Sequence, residues 1–229
     1  EPKQVDVELE QYRTRLEQMV EEKSRDLIAS QEILEATNRR QALFIKVLQI
    51  LQLEADIPTA MNMALAEIGR YTGVDRLATW ENHLDGVTYG CTNEWCNEGI
   101  EPAIDYLRSM TIEAGKPWFD MLEENHIICT SDIYSLDPFI TQMLEVQGVK
   151  AIAVFPLSQL GVHFGFLSFN FCWNKQWDEK DVELMSQISQ IVSTATKRWQ
   201  VETTLQQSQQ TMQKVLDNIN ANIFVSDYD

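Results

Sequence analysis

Histidine and cysteine are the side chains that most often perform nucleophilic, acid–base or metal chemistry, and this sequence contains few of them. The histidines are isolated, and no two cysteines have the Cys-x-x-Cys spacing of a zinc site. These residues are His83, His126 and His163, with Cys91, Cys96, Cys129 and Cys172. A Gly-x-Ser-x-Gly hydrolase motif is also missing. We therefore predict no catalytic residues, no metal, no cofactor and free, mostly buried thiols.

The 229 residues have the composition of a globular protein. Hydrophobic residues make up 44% and charged residues 23% of the chain, so a core can be buried. The net charge is −17, and residues 54–178 hold 18 acidic and only six basic residues. Because phosphate binding needs a basic surface, we exclude nucleic acid as a partner and expect no membrane contact. No segment has the length and apolarity of a membrane span or a signal peptide. We therefore predict a cytoplasmic location, and a chain that is the cytoplasmic part of a membrane-anchored sensor would fit this prediction too.

The N-terminal region has the pattern of a long helix with a coiled-coil seam. Neither Gly nor Pro occurs between Val5 and Leu53. Apolar residues first follow alternating spacings of four and three, at Val5, Leu9, Tyr12, Leu16 and Met19. The seam then shifts by one residue and continues at Val20, Leu27, Leu34, Gln41 and Leu48. Such a helix cannot bury its seam alone, which predicts a parallel homodimer; an intramolecular helix folded onto the body is the alternative.

The C-terminal region repeats this pattern. A first apolar stripe consists of Val182, Met185, Ile188, Val192, Ala195 and Trp199. After a small change of phase, a second stripe consists of Val201, Leu205, Ser208, Met212, Val215 and Ile219. From both ends together we predict a dimer seam formed by Leu9, Tyr12, Leu16, Met19, Trp199 and Leu205.

The middle of the chain has the pattern of a mixed body of helices and strands. We predict strands over Val74–Glu81, Val87–Trp95, Ile127–Thr130, Val149–Ser158 and Val162–Trp173. We predict helices that begin at Asp56, Pro117, Asp137 and Asp178, while residues 97–115 give no clear pattern. The two late strands are apolar on both faces, which indicates an antiparallel sheet of five or six strands covered by helices on both sides.

Two segments resemble the GAF domain family. The end of a GAF domain is similar to residues 149–199, VKAIAVFPLSQLGVHFGFLSFNFCWNKQWDEKDVELMSQISQIVSTATKRW. The junction between a helix and the first strand of a GAF domain is similar to residues 68–82, IGRYTGVDRLATWEN. YRTRLEQMVEEKSRDL resembles the linker helix before sensory domains of histidine kinases, and TMQKVLDNINANIFVSDYD (211–229) the opening of a PAS domain, cut after its first strand.

The resemblance implies an α+β fold in four parts. Residues 1–34 would be a coiled-coil signalling helix, 35–200 a GAF domain, 201–216 a linker helix and 217–229 the truncated start of a PAS domain. This is the layout of a bacterial multidomain signalling protein of the two-component, sensor histidine kinase type. The full-length protein would then be the kinase, and this fragment would not be an enzyme.

Known ligands of related domains find little support in the residues. Bilin attachment needs a linking cysteine, often followed by histidine, and none of the four cysteines is followed by one. The cyclic-nucleotide signature occurs only in compressed spacing, at Asn174, Lys175, Asp178 and Glu179, where a loop and a helix start explain the same residues.

The resemblance implies a pocket for a planar organic ligand between the sheet and the short helices. The residues that we predict to line it are Tyr89, Trp95, Trp118, Phe119, Tyr134, Phe139 and Phe155. Two functions therefore stay open: a sensory module that binds a small molecule, and a ligand-free module for dimerisation and signal relay. An aromatic-lined cavity would favour the first, and a pocket filled by its own side chains would favour the second.

Overall fold

The computed structural model describes residues 2–54, 56–83 and 85–226, without the side chains of residues 2–9, 11, 125 and 217–226. The chain divides into two units, Glu1–Lys46 and Val47–Asp229. The first helix, α1 (Pro2–Leu53), supplies the first unit, and its last turns belong to the second. None of the helices in the described ranges is long and apolar enough to cross a membrane.

Helix α1 exposes the apolar stripe that the sequence predicts. The exposed large apolar side chains that the structure describes within the first unit are Tyr12, Leu16, Met19, Val20, Leu27, Ile28, Ile33, Leu34 and Ile45. The predicted seam residue Leu9 lies on this helix, but its side chain is outside the described part of the chain. The helix is continuous across residues 19–20, so the change of seam occurs without a break in the backbone.

Helix α2 (Ile57–Thr72) begins and ends where its capping residues predict. The Asp56 carboxylate accepts a hydrogen bond from the backbone N–H of Thr59, at 3.0 Å. Gly73 ends the helix in the left-handed conformation, with φ of 67°. Its buried residues are Ala60, Met61, Ala64, Leu65, Ile68 and Gly69.

Six antiparallel strands form one sheet, as the two-sided apolar strands indicate. The strands are β1 (Arg76–Asn82), β2 (Thr88–Cys96), β3 (Met110–Thr111), β4 (Ile128–Thr130), β5 (Ala151–Gln159) and β6 (Val162–Phe171). Their order is β3-β2-β1-β6-β5-β4, so β1 and β6 pair at the centre. The four long strands lie within two residues of their predicted bounds, and this confirms the α+β fold.

The segment between β2 and β5 contains elements that the sequence does not predict clearly. These are α3 (Ile104–Leu107), β3 and a 3-10 helix (Ile133–Ser135). The predicted helix at Asp137 is confirmed as α5 (Pro138–Val146), and a further helix, α4, spans Ile112–Asn125. The prediction that a helix starts at Pro117 is wrong: α4 starts five residues earlier, because the Thr111 hydroxyl accepts from the N–H of Ala114 and caps it. Pro117 lies inside the helix.

The last helix, α6 (Glu179–Ser226), starts next to Asp178 as predicted, and it has an acidic capping box there. The backbone N–H of Asp181 donates to the Asp178 carboxylate at 2.7 Å, and the N–H of Asp178 lies 3.4 Å from the Asp181 carboxylate. The helix continues to Ser226. Its backbone is therefore helical over residues 217–226, where the resemblance to a PAS domain implies a first strand, and residues 227–229 lie outside the described part.

The two apolar stripes of α6 differ in burial. From Met185 to Trp199 the first stripe is buried against the second unit, and Trp199 is only 6% exposed. The second stripe is exposed from Val201 to Val215, with Leu205 at 57%, and the side chain of Ile219 lies outside the described part of the chain. Trp199 therefore does not fit the predicted dimer seam, because its own chain already covers it.

The sheet buries both of its faces, since side chains alternate along each strand. One face, here called the pocket face, carries Ala78, Trp80, Tyr89, Ile152, Val154 and Phe166 and is covered by α3, α4 and α5. The opposite face, here called the helix face, carries Leu77, Phe155, Leu167 and Phe169 and is covered by α2 and α6.

Gly165 should be sensitive to any side chain, because β6 approaches β1 closely there. A methyl group at this position would lie 1.9 Å from the carbonyl oxygen of Trp80, which belongs to the backbone and cannot rotate away. Gly165→Ala should lower the free energy of unfolding by about 3 kcal/mol. Gly73→Ala, in open space, should cost only about 1 kcal/mol for its left-handed backbone. Equal losses in urea unfolding would contradict the close approach.

Candidate functional site

The candidate site is the cluster of aromatic side chains beneath the pocket face. Trp80 and Phe166 stack with ring centroids 5.3 Å apart, at an interplanar angle of 17°. Tyr89 meets Phe119 of α4 edge to face, at 5.0 Å. The ring centroid of Trp118 lies 6.0 Å from that of Phe166. The sheet and α4 thus hold five rings in mutual contact, an arrangement that stabilises the body beyond the burial of the ring area.

Polar atoms within this cluster are only partly satisfied. The indole N–H of Trp80 donates to the hydroxyl of Ser168 at 3.0 Å. The Tyr89 hydroxyl and the side-chain oxygen of Asn170 are buried, and among the described residues neither has a hydrogen-bond partner. Gly115 brings α4 against the Tyr89 ring, since a methyl group there would lie 2.4 Å from it. Burial raises the pKa of Tyr89 to about 12, because its anion would lose hydration without gaining a partner.

Little space remains between the sheet and the helices. A cavity of about 10 Å³ is left under the pocket face, bounded by residues that include Trp80, Trp118, Met143 and Phe166. This volume is at the lower limit for holding a single water molecule. Around Trp80, Trp118 and Phe166, the side chains that the structure describes therefore fill this part of the pocket face themselves.

A buried ionic network closes one end of the pocket face. Arg76 Nε lies 2.9 Å from the Glu94 carboxylate, and the two side chains are 4% and 3% exposed. The Arg76 guanidinium also donates to the Gln147 side chain at 2.9 Å and to the Glu101 carbonyl at 2.6 Å. Glu94 in turn accepts from the backbone N–H of Ala103. The network thereby fixes the loop before α3 and the end of α5 to the sheet.

The seven predicted pocket residues do not form one site. Tyr89, Trp118 and Phe119 come together under the pocket face. Phe155 lies on the helix face, where its ring contacts Phe169 at 5.9 Å. Trp95 also lies there, against Gly69 of α2. The prediction that these two line the pocket is wrong, because strand alternation points them to the opposite face.

The remaining two predicted residues lie outside the aromatic cluster. Tyr134 is 70% exposed, and its hydroxyl donates to Glu145 at 3.1 Å. Phe139 is 40% exposed on the first turn of α5, whose inner face buries Ile140 and Leu144 instead. The structure therefore does not bring Tyr134 or Phe139 into the aromatic cluster.

Sequence reasoning missed the residues at the centre of the cluster. Trp80 and Phe166 lie opposite each other on β1 and β6, and Ser168 and Asn170 follow on the same face of β6. Counting every second residue from Phe166 would have placed these side chains together. Arg76 and Glu94 were also missed, because no local pattern links positions 18 residues apart.

The four cysteines are poorly suited to covalent chemistry. Burial raises the pKa of each thiol, most strongly at Cys91, and raises that of Cys129 to about 11. The thiols are therefore protonated at neutral pH and are weak nucleophiles. Within the described ranges, no three His, Cys, Asp or Glu side chains are placed to hold a metal ion.

The unpaired Tyr89 hydroxyl predicts a specific pH dependence. A tyrosine in the unfolded chain has a pKa of about 10. The stability that comes from keeping Tyr89 neutral is therefore fully present below pH 10 and lost as the pH rises towards about 12. Tyr89→Phe should leave the free energy of unfolding at pH 7 within about 1 kcal/mol of wild type. Wild type should lose about 2–3 kcal/mol of its free energy of unfolding between pH 10 and pH 12 through Tyr89, and Tyr89→Phe should not show this loss in urea unfolding. The exposed Tyr106→Phe should keep the wild-type pH slope, and an identical slope in both variants would refute the assignment.

Comparisons with known proteins agree with this architecture. The GAF domain family model matches residues 56–196. The comparison with curated protein sequences finds no match. The phycocyanobilin-bound GAF domain from a cyanobacterial phytochrome superposes with a TM-score of 0.61 at 17% identity, over 71% of this chain and 96% of that chain.

Two other solved structures have the same fold. The GAF domain of the cyanobacteriochrome TePixJ has a TM-score of 0.53 at 21% identity, over 66% of this chain and 94% of that chain. The GAF domain from an Acinetobacter phosphoenolpyruvate-protein phosphotransferase has a TM-score of 0.58 at 10% identity, over 72% of this chain and 96% of that chain. With a family match over more than half of its length, this chain belongs to the GAF domain family.

Proposed function

We propose that this chain is the regulatory GAF module of a signalling protein and that it relays a signal between flanking helices within a parallel homodimer. The observation that carries the proposal is the contrast between a filled body and unpaired helices. The pocket face retains a cavity of only about 10 Å³, while both α1 and α6 expose long apolar stripes. A relay needs packed contacts and helical partners, and a bound ligand is not required for either.

Close contacts between α6 and the sheet support the relay. The hydroxyl of Ser193 donates to the carbonyl of Ser158 on β5 at 2.8 Å, and the hydroxyl of Ser189 lies 3.4 Å from the carbonyl of Pro156. The Arg198 guanidinium donates to the carbonyl of Leu51, in the last turn of α1, at 2.7 Å. A displacement at the end of α1 would therefore reach α6 directly.

The exposed stripes support a second copy as the partner. Leu16 and Met19 on α1 are about half exposed, and the second stripe of α6 includes Leu205, Met212 and Val215 at similar exposure. Apolar side chains at heptad spacing are buried when two such helices pair. Identical stripes in two copies match each other in a parallel arrangement, which makes a homodimer the simplest partner.

The change of phase on α6 supports a mechanical role. The first stripe ends at Trp199 against the body, and the second begins at the exposed Val201. The helix thus changes from packing on its own chain to presenting a seam to a partner within one turn. A helix that packs on its own chain in one register and on a partner in another can be shifted between the two registers by a small bias. The one-residue shift of the seam near residues 19–20 of α1 indicates the same property there.

The downstream context follows from the resemblances in the sequence. We infer that the helix after Trp199 leads to a PAS domain and that the whole protein is a bacterial sensor histidine kinase of a two-component system, located in the cytoplasm. The GAF module itself is regulatory and would pass its signal on without catalysing a reaction.

A ligand under the pocket face is the second candidate. The unpaired Tyr89 hydroxyl and Asn170 oxygen are groups that a planar organic ligand could satisfy, if the aromatic rings moved apart. Three of the similar structures are GAF-fold proteins with a bound bilin. A covalent bilin would need a reactive cysteine, and burial disfavours thiolate at all four. Any such ligand would therefore be held without a covalent bond.

Cyclic-nucleotide binding has weaker support, because the residues of its signature have other partners. The Lys175 ammonium is paired with the Asp181 carboxylate, and Asp178 caps α6. No observation therefore favours a phosphate there.

The dimer can be tested at a single seam position. Leu16→Asp places a charge at an apolar position that a partner helix would bury. It should weaken self-association at least tenfold in sedimentation equilibrium. Gln18→Asp adds the same charge on the same turn of α1 but away from the seam, and it should change the dissociation constant less than threefold. A wild-type monomer at high micromolar concentration, or equal weakening by both variants, would exclude this seam.

The relay can be tested through the helical register of α6. Inserting one residue after Val201 rotates everything downstream by about 100°, whereas inserting seven restores the heptad register. In the full-length protein, the single insertion should abolish or invert regulation of the output. The seven-residue insertion should leave regulation within about twofold of wild type. Equal effects of both insertions would indicate that register does not carry the signal.

A further inference from the structure

The second stripe of α6 has a heptad spacing that assigns the residues around it to positions in a coiled coil. Its described members follow spacings of four, three, four and three and are exposed, at Val201, Leu205, Ser208, Met212 and Val215. Stripe residues occupy the a and d positions of such a coil, and the residues that flank them occupy e and g. With Val201 at d, Lys197 is at g and Glu202 is at e.

These two charged residues flank the start of the stripe, and the residues that follow are neutral. From Thr203 to Gln213 no residue is charged, and five of these eleven residues are glutamine. A seam with neutral flanks accepts more than one register, because a shift by one heptad still places apolar residues on apolar residues. A charged pair at the start of the seam can therefore determine the register of the whole.

Both side chains lie where a partner helix can reach them. The Glu202 carboxylate is 3.7 Å from the Arg198 guanidinium, and both of these side chains are exposed. An exposed pair of this kind contributes little and can exchange partners. Lys197 is partly exposed along a surface groove beside α6, and its ammonium lies 5.5 Å from the centroid of the Phe164 ring. The ring holds the ammonium beside the helix and leaves its charge unneutralised.

We propose that Lys197 of each copy forms an ion pair with Glu202 of the second copy, and that this pair sets a parallel, in-register association of α6. The inference rests on the homodimer proposed above and names the contact that selects its partner. In a parallel coiled coil, a g residue lies beside the e residue five positions further along the other helix. Lys197 and Glu202 have this separation. The twofold symmetry of a homodimer forms the pair twice.

Other arrangements of α6 lose this pair. A shift by one heptad brings Lys197 beside the neutral Gln209 in place of Glu202. An antiparallel arrangement places Lys197 opposite the far end of the second stripe. Opposite charges therefore favour one register and one orientation, while the apolar stripe supplies most of the affinity.

Charge reversal tests the pair, because two variants that repel their own copies should attract each other. Lys197→Glu places two carboxylates in each pair, and Glu202→Lys places two ammonium groups there. Each variant alone should raise the dissociation constant about tenfold in sedimentation equilibrium at low ionic strength. An equimolar mixture of the two should associate within about threefold of wild type, because each pair of the mixed dimer again joins opposite charges. In 1 M NaCl the differences should shrink to about twofold, since the Debye length falls to about 3 Å.

Lys214→Glu is the matched control. It makes the same reversal on the same helix, at a c position that faces away from the seam, and it should leave the dissociation constant within about twofold of wild type. Equal weakening by Lys197→Glu and Lys214→Glu would show that only net charge matters. A mixture that associates no more tightly than its components would refute the pair, whereas recovery in the mixture also shows that both variants fold.

Failure of the pair can be distinguished from failure of the homodimer. If the mixture does not recover while Leu16→Asp still weakens association, the homodimer stands and its contact along α6 is wrong. If wild type is a monomer at high micromolar concentration, both proposals fall together.

Discussion

The pairing of β1 with β6 at the centre of the sheet determines how both sides of the molecule are built. These strands approach so closely that position 165 has no room for a side chain, and their side chains alternate to both faces. On one face the pairing brings Trp80 onto Phe166, around which the other rings collect. On the other face it presents Leu77 and Phe169 to the helices. The aromatic cluster and the bed for α6 are thus two consequences of one register.

Much of this architecture could be predicted from local signals. The four long strands follow from two-sided apolar runs, and the starts of α2 and α6 from carboxylates that bond backbone N–H groups nearby. The start of α4 was missed because Pro117 is a strong helix-start signal, whereas Thr111 is a weak one that acts only in context. The segment before α4 has no clear periodicity that would predict its structure. It is held in place by the buried ion pair of Arg76 and Glu94, two residues that lie far apart in the sequence.

The contents of the site were harder to predict than the fold. Aromatic composition correctly suggested rings between sheet and helices, but it could not assign Trp95 or Phe155 to a face without the register. It also could not show that the rings fill the space between them. Packing density depends on how all the side chains fit together, and no single position records it. The shared GAF fold therefore leaves open what each member does with this volume, and here its own side chains occupy it.

The two serine hydroxyls of α6 that meet β5 have a geometric consequence. Four residues of helix advance about 6.0 Å and two residues of strand about 6.7 Å, so Ser189 and Ser193 can face the carbonyls of Pro156 and Ser158 together. A slide of α6 by one such repeat would bring Met185 or Lys197 against a carbonyl in place of a serine and lose one contact. Smaller slides would misalign both. The helix is thus resistant to piston-like movement along the sheet, and a conformational change that leaves the body through α6 would take the form of twisting or bending beyond Ser193.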